Sequence, residues 1–195
     1  LLPMVSNVKE IDTSVLLIRR AHRELLEEGH GVQMPPIGVM IEVPAMAFQV
    51  DAIVKRADFV SVGSNDLTQY MLAVDRNNPR VSNLFSNLHP AMLGVLNKIA
   101  VEVRAAGKKL SICGEMAGNP GAAVLLMAMG FDILSMNATN LLRVKSVIRN
   151  LTFVQAQELL HKALEQEDTD SVKALIDQEL VNAGVERLLR SSRTS

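Results

Sequence analysis

The sequence predicts an α/β protein with a parallel sheet, and two features of the chain indicate it. Short apolar runs alternate with segments whose apolar residues recur at helical spacing, as in repeated strand–helix units. Polar residues follow several predicted strands, and a (β/α)8 barrel of the TIM type places its active site at the carboxyl ends of its strands. A doubly wound sheet competes, but no G-x-G-x-x-G motif follows any strand. We therefore expect the C-terminal part of a TIM-type barrel, about five strand–helix units long.

Five strands are expected, each a short run of mainly apolar residues. The run at residues 37–43 is nearly continuous and rich in branched side chains, which is typical of a strand buried on both faces, and Pro44 ends it. The five predicted strands are residues 1–6, 37–43, 59–62, 110–113 and 133–136.

Helical segments separate the strands and are bounded by residues that start or stop helices. Gly29 follows the first helix, while Pro90 and Gly107 lie at the first turn and just past the end of a later one. The predicted helices of the barrel are residues 8–28, 45–56, 66–74, 90–106, 122–129 and 141–149. A charged helical tail is predicted over residues 153–190, broken at "QEDTDS". The chain thus divides into a partial barrel, 1–150, and a helical extension, 151–195, packed on it.

Composition and charge favour a folded globular protein and argue against a nucleic-acid-binding or membrane-spanning one. Of the 195 residues, 48% are hydrophobic and 21% are charged, so a folded globular segment is expected. The net charge of −1 gives no reason to expect nucleic acid or an anionic membrane as a partner, and no uncharged apolar run is long enough for a transmembrane helix. Cys113 is the single cysteine, which excludes an internal disulfide and favours a reducing, cytoplasmic compartment.

The first residues, "LLPMVSNVKEI", read as a strand without an initiator methionine. We expect the chain to be a piece of a longer protein, since five strands would leave a barrel incomplete. As an isolated segment it is expected to be catalytically silent and to associate through its sheet edges.

Two carboxylates at the ends of neighbouring predicted strands are candidate metal ligands. Glu42 lies within an apolar strand, where an unpartnered carboxylate is costly. Asp66 follows the next strand, so the two side chains can share a hard cation, Mg²⁺ or Mn²⁺. The alternatives are that Glu42 faces solvent or a lysine, and that Asp66 caps the helix that follows. Both roles are compatible if Asn65 caps while Asp66 coordinates.

Two further residues have side chains suited to phosphate and proton chemistry. Arg76, in "AVDRNNPR", offers a planar fork for phosphate or carboxylate, although a salt bridge with Asp75 or a solvated loop is the simpler interpretation. Cys113 ends the strand before "GEMAG". A lone cysteine is usually a small buried apolar residue, but a thiol at this position can also donate a proton or act as a nucleophile.

Four strings occur in order along the chain and together resemble a known family. "GVMIEVPA", "VSVGSNDLTQYMLAVDRNN", "CGEMAG" and "LSMNATNLLRVK" are similar to the C-terminal phosphoenolpyruvate-binding barrel of enzyme I of the phosphoenolpyruvate-dependent phosphotransferase system. The similarity runs from Leu1 to the helical tail near Arg190. Ser64 stands where many members have threonine, which keeps the hydroxyl group.

The resemblance implies a role for each matched residue. Glu42 and Asp66 would bind Mg²⁺, Asn65 and Arg76 would contact the substrate phosphate, and Cys113 would protonate the enolate to give pyruvate. The full enzyme transfers a phosphoryl group from phosphoenolpyruvate (PEP) to its own histidine, in a separate N-terminal domain, and then to a phosphocarrier protein. The family also implies a homodimer formed by its C-terminal domain, which is the alternative to edge pairing for the association of the isolated segment. The family's phosphate-binding arginines on earlier strands, and the histidine, are not in this chain.

The branch of the family and three other functions stay open. "AVDRNNPRV" and "LHPAML" favour the nitrogen-related branch over the sugar-transport branch. Pyruvate phosphate dikinase and phosphoenolpyruvate synthase share the barrel, but Met116 and the "VDRN" string favour enzyme I. The remaining alternatives are a non-catalytic module for ligand sensing and dimerisation, and a magnesium-dependent aldolase.

Overall fold

Four parallel strands form the sheet at the centre of the computed structural model, which describes residues 1–185. They lie side by side in chain order, so every crossover advances by one position in the same direction, as in the wall of a barrel. The strands are β1 (Gly38–Ile41), β2 (Phe59–Gly63), β3 (Lys109–Cys113) and β4 (Ile133–Ser135). The α/β class and the parallel sheet that the sequence predicts are therefore confirmed.

Helices follow the strands and cover the sheet. They are α1 (Val8–Glu27), α2 (Pro44–Ala47), α3 (Val50–Val54), α4 (Ser64–Leu72), α5 (Pro90–Ala105), α6 (Pro120–Met129), α7 (Ala138–Asn150), α8 (Phe153–Leu164) and α9 (Thr169–Asn182). Short 3-10 turns occur at Ser82–Leu84 and Glu115–Gly118. Within residues 1–185, none of these helices combines the length and the apolar character needed to span a membrane.

The two faces of the sheet differ in burial. One face is shielded completely from solvent, and its side chains belong to the main apolar core: Val39, Ile41, Val60, Val62, Leu110 and Ile112. The opposite face carries Met40, Ser61, Ser111 and Ile133, which share one row of the strand register. This face becomes exposed toward the last strand, where Ile133 is 55% accessible. The polar and partly open face is thus the one that a barrel would turn toward its axis.

The first predicted strand, residues 1–6, is not formed as a strand. Only an isolated parallel bridge joins Leu2 to Val39. Pro3 has no N–H to donate to a ladder, and Met4 adopts a left-handed backbone conformation with a φ of 51°. These two residues turn the chain away after a single pairing, although they leave it at the carboxyl edge of β1.

The predicted helix at residues 45–56 is wrong as a single helix, because it divides into α2 and α3 at Phe48 and Gln49. Lys98 Nζ on α5 donates to the Ala47 carbonyl at 3.1 Å, so the break leaves this oxygen with a partner. Met46 and Val50 stay completely buried on either side of the break. Tertiary packing therefore overrides a helical pattern that the sequence shows as continuous.

The helical tail begins where the sequence predicts it. Asp168, within the predicted break, caps α9 by accepting from the Ser171 N–H at 2.8 Å. Both α8 and α9 pack against α6, and Ile176 lies so close to Gly121 that a side chain there would collide with it. The division at residue 150 stays a prediction, and residues 186–190 of the predicted tail lie outside the described residues.

Two aspartates, each just before a strand, accept a backbone hydrogen bond near the amino end of the neighbouring strand. Asp58 accepts from the Ile37 N–H at 2.7 Å, and Asp132 accepts from the Leu110 N–H at 2.9 Å. The Leu110 hydrogen bond is the main reason why the pKa of Asp132 lies below its ordinary value, and Lys109 adds to the effect. Because the folded pKa is the lower one, this stabilisation is present above the unfolded value of about 3.9 and is lost as the pH falls through the folded pKa.

We expect Asp132→Ala to lower the free energy of unfolding by about 1–2 kcal/mol at pH 7, since it leaves a buried N–H without its charged acceptor. Urea denaturation should show the loss at pH 7 and a smaller one as the pH falls below about 3.9. Asp132→Asn keeps an oxygen for the Leu110 N–H and should lose less. If Asp132→Ala lowered the free energy of unfolding equally at pH 7 and at a pH below about 3.9, the lowered pKa of Asp132 would be contradicted.

Candidate functional site

Four residues form one row across the carboxyl edge of the sheet. In the strand register Gly63 is paired with Cys113, and Cys113 is paired with Ser135. Glu42 comes one residue after the pair of Ile41 with Val62, and so continues the same row beside Gly63. The strand order therefore brings a carboxylate and a thiol to the same edge, on two strands separated by β2.

Glu42 is buried, with only 5% of its surface exposed. Its Oε1 accepts from the Met4 N–H at 2.7 Å. Gly63 makes room for the carboxylate, because a Cβ at this position would collide with Glu42 Oε2. In the part of the chain that the structure describes, no lysine or arginine forms an ion pair with Glu42. A buried carboxylate with a single backbone donor is costly unless a further positive partner joins it, so Glu42 fits a metal ligand.

Asp66 lies in the first turn of α4, where the helix dipole favours a negative charge. The expectation that Asn65 or Asp66 caps this helix is wrong. The helix begins at Ser64, and its N-cap is Gly63, which makes no side-chain capping bond. The helix begins directly after the last residue of β2, so both polar residues fall inside its first turn. Neither side chain is therefore engaged in capping.

Cys113 lies close enough to both carboxylates to feel their charges. Burial raises the pKa of the Cys113 thiol above its ordinary value, and the negative charges of Glu42 and Asp66 raise the pKa further. Its Sγ contacts the Val62 carbonyl at 3.6 Å. Because an unperturbed thiol already titrates near 8.5, Cys113 is protonated at neutral pH. A protonated thiol beside two carboxylates can act as a proton donor.

Asn65 contacts the turn that follows Cys113. Its Oδ1 accepts from the Glu115 N–H at 3.3 Å, which leaves the amide nitrogen of Asn65 available to a ligand. Gly114, between Cys113 and Glu115 in the chain, has a φ of 109°, a conformation that strongly favours glycine. The structure therefore brings together four of the five predicted site residues: Glu42, Asn65, Asp66 and Cys113.

A cavity of about 340 Å³ opens beside Cys113 at this edge. Its lining combines the predicted residues with polar residues of the following strand and helix: Asn65, Cys113, Gly114, Glu115, Gly118, Ser135, Met136, Asn137 and Asn140. Sequence reasoning did not assign Ser135 or Asn140 to the site. The polar string "SMNATN", which begins at the last residue of β4, was the available signal. Asn137 itself caps α7, accepting from the Asn140 N–H at 3.2 Å.

Arg76 is the predicted site residue that the structure does not connect to the others. It lies in the loop between α4 and α5, and its backbone N–H donates to Gln69 Oε1 at 3.3 Å. The simpler interpretation, an ion pair with Asp75, is not formed either within residues 1–185. Its role as a phosphate ligand stays a prediction.

The donor set is suited to Mg²⁺ rather than to a metal held entirely by protein. Among the described residues, no three or more His, Cys, Asp or Glu side chains form a group that could hold a metal ion. Two carboxylates, Glu42 and Asp66, remain as donors. Mg²⁺ is commonly held by one or two carboxylates, with water and substrate oxygens completing its shell. The residues present fit that arrangement.

Comparison with known proteins gives the same interpretation as the motifs. The sequence profile described as "PEP-utilising enzyme, PEP-binding domain" matches residues 1–153. The chain is 44% identical, over 191 residues and 97% of its length, to proteins of Salmonella typhimurium and Escherichia coli named "Phosphoenolpyruvate-dependent phosphotransferase system". It is 39% identical over 183 residues to a "Phosphoenolpyruvate-protein phosphotransferase" of Haemophilus influenzae.

The match covers only part of each relative. It extends over 97% of this chain but 26% of the first two relatives, and over 92% of this chain but 31% of the third. The names of these relatives are those that the resemblance to enzyme I predicts. Because the family profile covers most of the chain, the chain belongs to the family of PEP-binding domains of PEP-utilising enzymes.

Proposed function

We propose that the chain is the PEP-binding segment of a phosphoenolpyruvate-protein phosphotransferase. One observation carries the proposal: two carboxylates and a protonated thiol converge at the carboxyl edge of a parallel sheet in a chain of the PEP-utilising family. The substrate is PEP and the product pyruvate. The full protein would pass the phosphoryl group to a histidine of its own N-terminal domain and then to a phosphocarrier protein.

Glu42 and Asp66 would hold Mg²⁺, or Mn²⁺ in its place. When bound, the ion supplies positive charge to the phosphate and carboxylate oxygens of PEP. The buried position of Glu42, with Met4 holding one of its oxygens, fixes the direction of its carboxylate. The amide nitrogen of Asn65 and the guanidinium of Arg76 would donate to the phosphate. These groups act by alignment and by neutralising charge, which phosphoryl transfer requires more than covalent assistance.

Cys113 would complete the reaction as a general acid. The bond between phosphorus and the enol oxygen of PEP breaks, and a bond between phosphorus and the histidine nitrogen forms. The departing enolate keeps the electron pair of the broken bond and takes the Cys113 proton at its terminal carbon, which becomes the methyl group of pyruvate. The thiolate regains a proton from solvent. Because the pKa of Cys113 is raised, the thiol is protonated before this step and can donate the proton.

The wider setting follows from the same proposal. The full protein would be a cytoplasmic homodimer, in keeping with the single cysteine of the chain and with the assembly that the family implies. We assign it to the nitrogen-related branch on the strings "AVDRNNPRV" and "LHPAML". The histidine and the further phosphate-binding arginines would come from the parts of the longer protein outside this chain.

The test is an assay of the full-length protein with PEP, Mg²⁺ and a phosphocarrier protein. We expect pyruvate release that depends on all three, with the phosphoryl group recovered on the carrier. Release of pyruvate that needs a nucleotide instead of the carrier would indicate the dikinase or synthase group. Cleavage of a 2-keto acid without phosphate would indicate an aldolase, and either result would overturn the proposal.

A further inference from the structure

The first turn of α4, which follows β2, and the turn after β3 are joined by two hydrogen bonds. The Ser64 hydroxyl donates to the Cys113 carbonyl at 2.8 Å, and the Glu115 N–H donates to Asn65 Oδ1 at 3.3 Å. Ser64 is completely buried. A serine hydroxyl in such a place is retained only with a partner, and here the partner is the backbone of the cysteine that lies nearest the carboxylates.

The two turns also touch sterically. A Cβ at Gly114 would collide with Ser64 Oγ and would lie 3.0 Å from Asn65 Oδ1. The φ of 109° at Gly114 already disfavours every other residue. The backbone at Gly114 therefore packs directly against the side chains of Ser64 and Asn65.

A second buried hydroxyl extends this contact to a third segment. Thr68 Oγ1 lies 2.7 Å from the Ser64 carbonyl oxygen and 2.6 Å from Asn87 Oδ1, and Thr68 is completely buried. Its single proton serves one of these oxygens at a time. Asn87 belongs to the loop between α4 and α5, which also carries Arg76. Ser64 thus contacts the backbone of Cys113 directly and the loop that carries Arg76 through Thr68.

We infer that Ser64 is a positioning residue, which holds the Cys113 backbone against the first turn of α4 and so fixes the thiol relative to the bound substrate. The inference rests on the proposed function. Satisfied networks of buried hydrogen bonds rigidify the groups they join. A displacement of about 1 Å at a reacting group can cost about 10²-fold in rate. Because Ser64 acts through the carbonyl of Cys113, its loss should affect proton transfer and leave PEP and metal binding intact.

The chain provides a matched control. Ser111 Oγ donates to the Val60 carbonyl at 3.4 Å, which is also a bond from a serine hydroxyl to a backbone carbonyl between β2 and β3. Ser111 lies two residues before Cys113 on the same strand. Ser111→Ala therefore removes a hydrogen bond of the same kind without touching either turn.

The experiment compares Ser64→Ala, Ser64→Thr and Ser111→Ala in the full-length protein. For Ser64→Ala we expect kcat for pyruvate formation to fall about tenfold, with the KM for PEP and the affinity for Mn²⁺ changed by less than about twofold. Ser64→Thr keeps the hydroxyl and should restore kcat to within about twofold of wild type. With metal removed by EDTA, iodoacetamide should alkylate Cys113 about threefold faster in Ser64→Ala, because the loosened turn exposes the thiol. Ser111→Ala should match wild type in every measurement.

Equal values of kcat and of alkylation rate for Ser64→Ala and Ser111→Ala would overturn the inference, as would failure of Ser64→Thr to restore kcat. If Ser64→Ala does not fold, Thr68→Val replaces it, since it removes the hydroxyl beside the Ser64 carbonyl. The same loss of kcat is then expected, and an unchanged kcat counts against the inference. A wild-type protein that releases no pyruvate refutes the proposed function instead, and the alkylation rates still decide whether Ser64 holds Cys113.

Discussion

Cys113→Ala in the full-length protein is expected to slow pyruvate formation by about 10²- to 10⁴-fold, the usual contribution of a general acid. The structure places this thiol near Glu42 and Asp66, and its raised pKa keeps it protonated at neutral pH, as the proposed role of proton donor requires. Binding of PEP should change little, because the proton is needed only after the phosphoryl group has begun to leave. Stopped-flow assay of pyruvate and equilibrium binding of PEP measure the two effects separately.

Cys113→Ser serves as the near-isosteric control for this variant. A serine hydroxyl is a much weaker acid than a thiol, so its rate should stay close to that of Cys113→Ala although the side chain has nearly the original shape. Recovery of the wild-type rate in either variant would return Cys113 to the role of a small buried apolar residue.

Replacing both carboxylates should abolish metal binding at this edge. For Glu42→Gln combined with Asp66→Asn, we expect the affinity for Mn²⁺ to fall by about 10²-fold or more, since even outer partners of metal ligands contribute 10- to 100-fold. Both changes are isosteric, so the space beside Gly63 stays filled as in the wild type. Calorimetry and electron paramagnetic resonance with Mn²⁺ on the full-length protein measure the affinity.

Asp51→Asn is the control for this experiment, because it removes an exposed carboxylate on α3 that faces Lys55 rather than the site. It should leave the affinity for Mn²⁺ unchanged. If the double variant binds Mn²⁺ with the affinity of the wild type, the ion binds elsewhere in the protein. The hydrogen bond from Met4 would then be the only interaction proposed here for the buried carboxylate of Glu42.

Much of the fold could be predicted because the strands of a parallel sheet covered by helices leave clear apolar runs. The runs at residues 59–62 and 110–113 coincide with β2 and β3 to within one residue. Polar residues at the ends of these runs predicted that their side chains would meet at the carboxyl edge of the sheet, since parallel strands present their carboxyl ends together.

What the sequence could not show depends on contacts between distant segments. The left-handed conformation of Met4 and its hydrogen bond with Glu42 arise only when the amino-terminal segment pairs with β1. The division of residues 45–56 into α2 and α3 depends on Lys98, about fifty residues away, whose ammonium group takes up the Ala47 carbonyl. The hydrogen bond behind the role proposed for Ser64 was hidden for the same reason, because its acceptor is a backbone carbonyl on β3 and not a side chain.

The central claim is that metal, substrate and Cys113 share one site, and protection of the thiol tests it most directly. The full-length protein is treated with iodoacetamide, and alkylation of the peptide containing Cys113 is followed by mass spectrometry. We expect Mn²⁺ together with PEP to slow this alkylation at least about tenfold, and neither alone to protect as well, since Glu42 and Asp66 would hold the ion and its positive charge would attract the substrate. The protection should disappear in the Glu42→Gln, Asp66→Asn double variant. Alkylation of Cys113 at the same rate with and without Mn²⁺ and PEP would contradict the account.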